Sequence, residues 1–194
     1  MQRRWINALA MIALLVAFRV VGNLFPATLP NFQPLCALFL CSIACQRGTI
    51  GWAVPLVAWA VSSPLASWLN HANPFDVSSG VLLAFAVFLG IGCAARLLRH
   101  RATPAILIGS SLAAGLLFHL ITNTAAWAAD PGYAKTASGF AQALWTGRPG
   151  ELPTWVFLRN LLAANVIFTA LFLLARRPAA AHEGRALPLV PTSR

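Results

Sequence analysis

The sequence predicts an all-α protein, a polytopic bundle of about six transmembrane helices in a lipid bilayer. Its 194 residues are 59% hydrophobic and 9% charged, and the mean hydropathy is +0.73. Soluble domains carry about 25% charged residues, so this chain has too few charges to cover a water-exposed surface. Separate apolar runs along the chain, with arginines at alternate junctions between them, are the other two observations that favour a membrane bundle.

The apolar runs define the predicted helices. One crossing of the hydrocarbon, about 30 Å thick, takes roughly 20 residues, so six crossings use most of the chain. The second run is short, which indicates a helix that is tilted or that starts deeper in the bilayer. We predict helices over residues 5–21, 34–45, 50–69, 77–98, 103–121 and 155–175.

The stretch between the last two runs, residues 123–153, is too polar to span. We predict a loop there, with a short interfacial helix near residues 134–144. A single transmembrane domain then covers residues 1–178, and residues 179–194 form a disordered cytoplasmic tail. This length leaves no room for a large catalytic module or an ATPase.

Basic residues orient the bundle. The side opposite the termini holds Lys135, Arg148 and Arg159. Because positive residues in short loops stay in the cytoplasm, we expect both termini to be cytoplasmic. The net charge of +10 then reflects topology and attraction to anionic lipid, and no nucleic-acid partner is expected. With six helices, the other side collects Arg3, Arg4, Arg47, Arg96, Arg99, Arg101, Arg176 and Arg177.

A cleaved signal peptide is the alternative interpretation of the first run, with Arg3 and Arg4 as its charged start. Arg19 interrupts that run near its end, and no small-residue cleavage site follows it. These features favour a retained helix.

Cysteines and small residues also lie in the predicted helices. Cys36, Cys41, Cys45 and Cys93 lack the paired spacing of a zinc site. We interpret them as apolar packing residues, with a soft metal ligand as the alternative, and predict neither a metal site nor a cofactor. Ala13 and Ala17, four apart on the first helix, would allow close packing against another helix of the chain or against a partner subunit.

Polar and aromatic residues gather at the predicted outer end. His119, Thr122 and Asn123 are spaced to share one helix face. The loop after the first helix carries Asn31, and the loop after the third carries His71 and Asp76, so these groups converge at one end of the bundle. Apolar walls with a few placed polar groups predict a small-molecule pocket. An aromatic belt with wet loops is the alternative.

Three segments carry a resemblance: PNFQP, VPLVAWAVSS and FHLITNTAAWAADPGYAKTASGF. They resemble the signature of an uncharacterised family of small bacterial membrane proteins, which implies a location in a bacterial inner membrane. That family is similar to the substrate-binding S components of energy-coupling-factor (ECF) transporters. The resemblance covers roughly residues 13–175, and Ser63 departs from it, since the family tends to have aspartate there. The matching residues are Asn31, Phe32, Pro34, Val54, Pro55, Leu56, Ser62, Thr122, Asn123, Trp127, Tyr133, Lys135, Thr136 and Gly139.

This resemblance implies a six-helix subunit that binds a vitamin-like or metal-containing compound, with a metal ion disfavoured by Ser63. It implies a transmembrane coupling subunit with ATPases as the partner, docked at Ala13 and Ala17. The residues expected to contact substrate are Asn31, His119, Thr122 and Asn123 through hydrogen bonds, Trp127 and Tyr133 as stacking walls, and Lys135 against an anionic group or Asp130.

Two other functional classes remain. An enzyme is not expected, because the chain has only four acidic residues and no nucleophile paired with a base. A non-enzymatic accessory or assembly protein without a small-molecule ligand is the open alternative.

Overall fold

The computed structural model describes residues 2–46, 48–69, 73, 75 and 78–183, and their secondary structure is entirely helical. A 3-10 turn, Arg99–Arg101, separates the fourth and fifth helices. The described α-helices are α1 (Gln2–Leu24), α2 (Leu35–Cys45), α3 (Thr49–Leu69), α4 (Ser79–Leu97), α5 (Pro104–Ala129), α6 (Ala137–Leu144) and α7 (Thr154–Glu183).

Each predicted apolar run corresponds to a helix, and the predicted short interfacial helix corresponds to α6. Among the described residues, α3, α4, α5 and residues 154–175 of α7 are long and apolar enough to cross a membrane. Residues 9–24 of α1 and the whole of α2 are shorter apolar helices. The all-α membrane bundle is therefore confirmed, whereas a count of six crossings stays a prediction.

Two helices run further than predicted. The fifth continues to Ala129, so residues 123–129, predicted as the start of a loop, form its last two turns. Its alanine-rich end favours helix, and Pro131 disfavours helical conformation at Asp130, where the helix stops. The last helix continues to Glu183, into the predicted tail, and residues 184–194 lie outside the described residues.

The short helix α2 lies at the centre of the bundle. Every residue from Leu35 to Ala44 is buried, so α2 has no lipid-facing side. It packs against α3, α4, α5 and α7. Eleven residues give a length of about 16 Å, roughly half the hydrocarbon thickness. The short run noted in the sequence is therefore an internal helix surrounded by the others.

Both ends of α2 bind polar side chains from elsewhere in the chain. At its start, the Ala37 amide donates to Asn165 Oδ1 of α7 at 2.9 Å. At its end, Arg99 Nε donates to the Ile43 carbonyl at 2.9 Å and Arg99 Nη2 to the Gln46 carbonyl at 3.3 Å. Helix ends leave such groups without partners, and in an apolar interior each unpaired group is costly. Asn165 and Arg99 therefore fix both the depth and the direction of α2.

Stacked aromatic rings extend the core from α2 outward. The rings of Phe39 and Phe88 stack with centroids 5.5 Å apart, and Phe88 stacks on Phe118 at 5.0 Å. Phe39 belongs to α2, Phe88 to α4 and Phe118 to α5. Such pairs add about 0.5–1.5 kcal/mol beyond their buried area. Cys36 and Cys41 are buried in the same core, and all four cysteines are free thiols.

The bundle has two chemically different ends. The arginine-rich end contains Gln46 and Arg99–Arg101, and there Gln46 Nε2 donates to Met11 Sδ of α1 at 3.2 Å. The loop end contains residues 25–34 and 130–153, including α6. Asn160 of α7 holds the first of these segments against α7 by donating to the carbonyls of Thr28 and Pro30, at 3.2 and 3.1 Å.

The small residues divide into packed and exposed sets. Gly115 of α5 lies against α7, where an added Cβ would come within 3.0 Å of Asn165 Nδ2 and of Leu162 Cδ2. Gly109, on the same helix, has nothing within 4 Å of the equivalent position. Ala13 and Ala17 are exposed on α1 and do not pack in the core. A partner-docking role for these two alanines stays a prediction.

The contrast between the two glycines gives a stability test. Gly115→Leu should lower the free energy of unfolding by about 1–3 kcal/mol, because the larger side chain pushes α5 away from Asn165. Gly109→Leu, the matched control, should leave it unchanged. Tryptophan fluorescence during thermal unfolding in detergent measures both variants. Equal melting temperatures would contradict the close contact between α5 and α7.

Candidate functional site

His119 joins α5 to α6. Its side chain is buried, and His119 Nε2 lies 3.0 Å from the Leu144 carbonyl, the last residue of α6. Asn123 Nδ2 lies 3.1 Å from His119 Nδ1 and donates to the His119 carbonyl at 2.8 Å. A neutral imidazole with its proton on Nε2 satisfies both contacts, because Nδ1 then accepts from the amide. His119 and Asn123 thus hold α6 against α5.

Trp127 and Lys135 close the turn between the two helices. Trp127 Nε1 donates to the Ala134 carbonyl at 2.9 Å. The Lys135 ammonium donates to the carbonyls of Trp127 and Asp130, at the C-terminal end of α5. A cation at this end satisfies free carbonyls and complements the helix dipole. The Asp130 carboxylate, which was the predicted alternative partner of Lys135, lies 3.3 Å from Arg148 instead.

Thr136 and Gly139, which belong to the third segment of the sequence resemblance, form the start of α6. Thr136 Oγ1 accepts from the Gly139 amide at 3.2 Å, as an N-capping residue does. A Cβ on Gly139 would lie 2.0 Å from the Ala134 carbonyl oxygen, so only glycine fits. We call residues 119–148 the α5–α6 cap. Most of the residues between 119 and 148 that carry the sequence resemblance therefore have a structural role in the cap.

Tyr133 is buried in the α5–α6 cap. Burial, followed by the carboxylates of Glu151 and Asp130, raises the pKa of its phenol above the usual value. The phenol therefore stays protonated at neutral pH and offers a ring and a hydroxyl, not a charge. Thr122, one turn after Phe118, donates to the Phe118 carbonyl at 2.8 Å and so bonds within its own helix.

A cavity of about 570 Å³ lies between α1, the first loop, the end of α3 and the start of α7. Its volume lies within the range of small-molecule sites, and its walls are mostly apolar with a few polar groups. We call it the loop-end cavity. Its described lining residues are Arg19, Gly22, Asn23, Pro26, Pro30, Asn31, Phe32, Gln33, Ala66, Ser67, Leu152 and Phe157.

Arg19 is the charged residue in the described lining of this cavity. It lies on α1, partly buried, and its Nη1 atom donates to Ser62 Oγ and Ser63 Oγ of α3, both at 3.1 Å. Ser63 is the position at which the sequence departs from the resembled pattern. Two neutral hydroxyls bind the guanidinium here, and no carboxylate of the described residues lies within ion-pair distance.

The first loop shapes another wall of the loop-end cavity. Asn31 has a positive φ of 58°, a conformation that asparagine tolerates better than most residues. Its Oδ1 accepts from Gln33 Nε2 at 2.6 Å. Phe32 stacks on Phe18 of α1, with ring centroids 5.3 Å apart. These contacts hold a loop of irregular backbone against the helices, with its polar side chains at the cavity.

The structure separates the predicted substrate-binding residues into two groups. Asn31 lines the loop-end cavity, whereas His119, Thr122, Asn123, Trp127, Tyr133 and Lys135 belong to the α5–α6 cap. His71 and Asp76 lie outside the described residues. A ligand-contacting role for the cap residues stays a prediction.

Arg19 lines the cavity but is not among the substrate-binding residues predicted from the sequence. A charge inside an apolar run is itself a signal of function in membrane proteins, and that signal was available. Asn23, Gln33 and Ser67 carry no comparable signal, because only the folded chain places them beside Arg19. Within the described part of the chain, no group of three or more His, Cys, Asp or Glu side chains could hold a metal ion.

Comparison with known proteins adds one finding. The pattern described as "Family of unknown function (DUF6580)" matches residues 1–183, nearly the whole chain. No curated protein and no solved structure matches the chain.

The buried His119 contacts predict a structural effect. His119→Leu removes the side-chain partner of the Leu144 carbonyl and leaves the Asn123 amide bonded to the His119 backbone carbonyl alone, at a cost of about 1–3 kcal/mol. We expect faster hydrogen exchange in α6 and a lower melting temperature.

Thr124→Val is the control for this variant, since the Thr124 hydroxyl donates to the Leu120 carbonyl of its own helix. A melting temperature for His119→Leu equal to that of Thr124→Val would mean that His119 does not hold the cap.

Proposed function

We propose that this chain, which belongs to the Family of unknown function (DUF6580), is an integral membrane subunit that binds a small molecule at its outer end. The observation that carries this proposal is the loop-end cavity, with its mostly apolar wall and the polar side chains of Arg19, Asn23, Asn31, Gln33 and Ser67. Sites for small molecules combine an apolar enclosure with a few orienting polar groups in this way.

Orientation is part of the proposal. The arginine-rich end carries Arg96, Arg99 and Arg101, and by the positive-inside rule it faces the cytoplasm. The loop-end cavity then opens on the outer face of a bacterial inner membrane, and both termini are cytoplasmic. The central helix α2, which is buried along its length, occupies the middle of the described bundle. A binding subunit that works with another component fits such a packed centre better than a channel does.

The resemblance to ECF S components supports the same proposal and adds a partner. An S-component-like subunit would deliver its vitamin-like ligand through a transmembrane coupling subunit driven by ATPases. The exposed Ala13 and Ala17 on α1 offer a surface on which such a helix could pack closely. The chain itself is proposed to bind, not to catalyse.

A second candidate is a ligand-free accessory or assembly protein. The observation in its favour is that the polar atoms of His119, Asn123, Trp127 and Lys135 are occupied by contacts within the chain. Those residues could therefore be explained by folding alone. The loop-end cavity, which the cap does not fill, is what favours binding.

Native mass spectrometry of the purified chain tests the proposal. We expect a bound compound of defined mass that collisional activation releases. Ser67→Trp should remove it, because the indole fills the loop-end cavity. Val61→Trp, on an exposed face of α3, is the control and should retain it. Wild-type protein without any bound compound, when purified from its own cells, would favour the accessory role. A compound that Ser67→Trp also retains would place the site elsewhere.

A further inference from the structure

We propose that the ligand of the loop-end cavity is a water-soluble small molecule with an anionic group, a carboxylate or a phosphate, that binds Arg19. Ser63 is the residue that leaves Arg19 free to do so. This inference rests on the proposed function, since it names the chemical class of the compound bound at the same site.

The hydrogen bonds of Arg19 are the first argument. A guanidinium has five N–H donors and stays charged under all ordinary conditions. The contacts of Arg19 to Ser62 and Ser63 both come from Nη1. Hydroxyl groups accept these hydrogen bonds without neutralising the charge. The remaining donors of the guanidinium suit a planar or tetrahedral oxyanion, which Arg binds through two parallel hydrogen bonds.

The surroundings of Arg19 are the second argument. Charges in membrane-embedded segments are costly unless they are paired, and they mark binding sites. In the described structure the carboxylate of Asp130 pairs with Arg148, and the described lining of the cavity includes no acidic residue. The walls near Arg19 include Pro26, Phe32 and Phe157, which lower the local dielectric and strengthen attraction to an anion.

The position of α2 adds to this attraction. Residues 30–33 line the cavity, and α2 begins two residues later, at Leu35. The N-terminal end of a helix carries a partial positive charge and favours anions. The charge of Arg19 and the partial charge at the start of α2 are therefore both positive, and both favour an anion in the loop-end cavity.

Ser63 determines whether the guanidinium is available. Its Oγ atom lies 3.1 Å from Arg19 Nη1. An aspartate at this position would place a carboxylate at the same distance and pair with Arg19 internally. Ser63→Asp should therefore keep or raise the stability of the bundle while it removes anion binding. Arg19→Gln removes the charge itself but also weakens the contact between α1 and α3.

The test uses the full chain in a phosphate-free maltoside detergent. The probe is a water-soluble extract of small molecules, separated by anion-exchange resin into a retained, anionic fraction and an unretained fraction. Thermal unfolding is followed by tryptophan fluorescence. We expect the anionic fraction to raise the melting temperature of the wild-type chain and of Ser63→Asn, the neutral control. The same fraction should leave the melting temperatures of Ser63→Asp and Arg19→Gln unchanged, which corresponds to an affinity for the anion at least tenfold weaker.

The other outcomes separate the two proposals. A shift by the unretained fraction alone, or an equal shift in Ser63→Asp and the wild-type chain, would overturn the anionic ligand and leave a binding function in place. A melting temperature that neither fraction changes would overturn both the anionic ligand and the proposed binding function. A shift produced only by added anionic phospholipid, and lost in Ser63→Asp, would show that Arg19 binds lipid headgroups, and it would also overturn the proposal.

Discussion

The rest of the structure depends on a short helix that is buried on every side. In an apolar interior the free amides and carbonyls at both ends of α2 must be satisfied, and the chain does this from two distant points. Asn165 of α7 accepts from the start of α2, and Arg99 donates to its end. Because these partners come from α7 and from the turn after α4, they hold α2 against parts of the chain that are far apart in sequence. The close approach of Gly115 to Asn165 belongs to the same requirement.

The position of α2 also explains why the two ends of the bundle differ. The end of α2 binds Arg99, which follows α4, so the arginine-rich end is held together by the turn at residues 98–103. The start of α2 is buried inside the bundle, so residues 25–34 must run from the end of α1 back into the bundle to reach it. That return cannot be regular helix, and it leaves space between α1, α3 and α7, which is the loop-end cavity. The cavity and the buried helix are therefore two results of one constraint, and the proposed binding function rests on the cavity.

Apolar runs were enough to predict the helices, since lipid requires backbone groups to bond within each segment. They did not show that α2 is internal, because a lipid-facing helix and a fully buried one have equally apolar sequences. The last turns of α5 were predicted as loop because Thr122 and Asn123 interrupt the apolar run. The spacing of His119 and Asn123 correctly indicated one helix face, but spacing cannot tell whether a polar group meets a ligand or a backbone carbonyl. The sequence marks Ser63 as a departure from the resembled pattern, but only the structure places it beside Arg19.

The central claim is that the loop-end cavity opens to the outside while the arginine-rich end faces the cytoplasm. Cysteine labelling with a membrane-impermeant maleimide tests it directly, in a variant whose four native cysteines are replaced by alanine. The two positions to compare are Ser67→Cys in the cavity lining and Arg101→Cys at the opposite end. The account predicts that position 67 is labelled in intact cells and that position 101 is labelled only after the membrane is permeabilised. Labelling of position 101 in intact cells, with position 67 protected until permeabilisation, would contradict it.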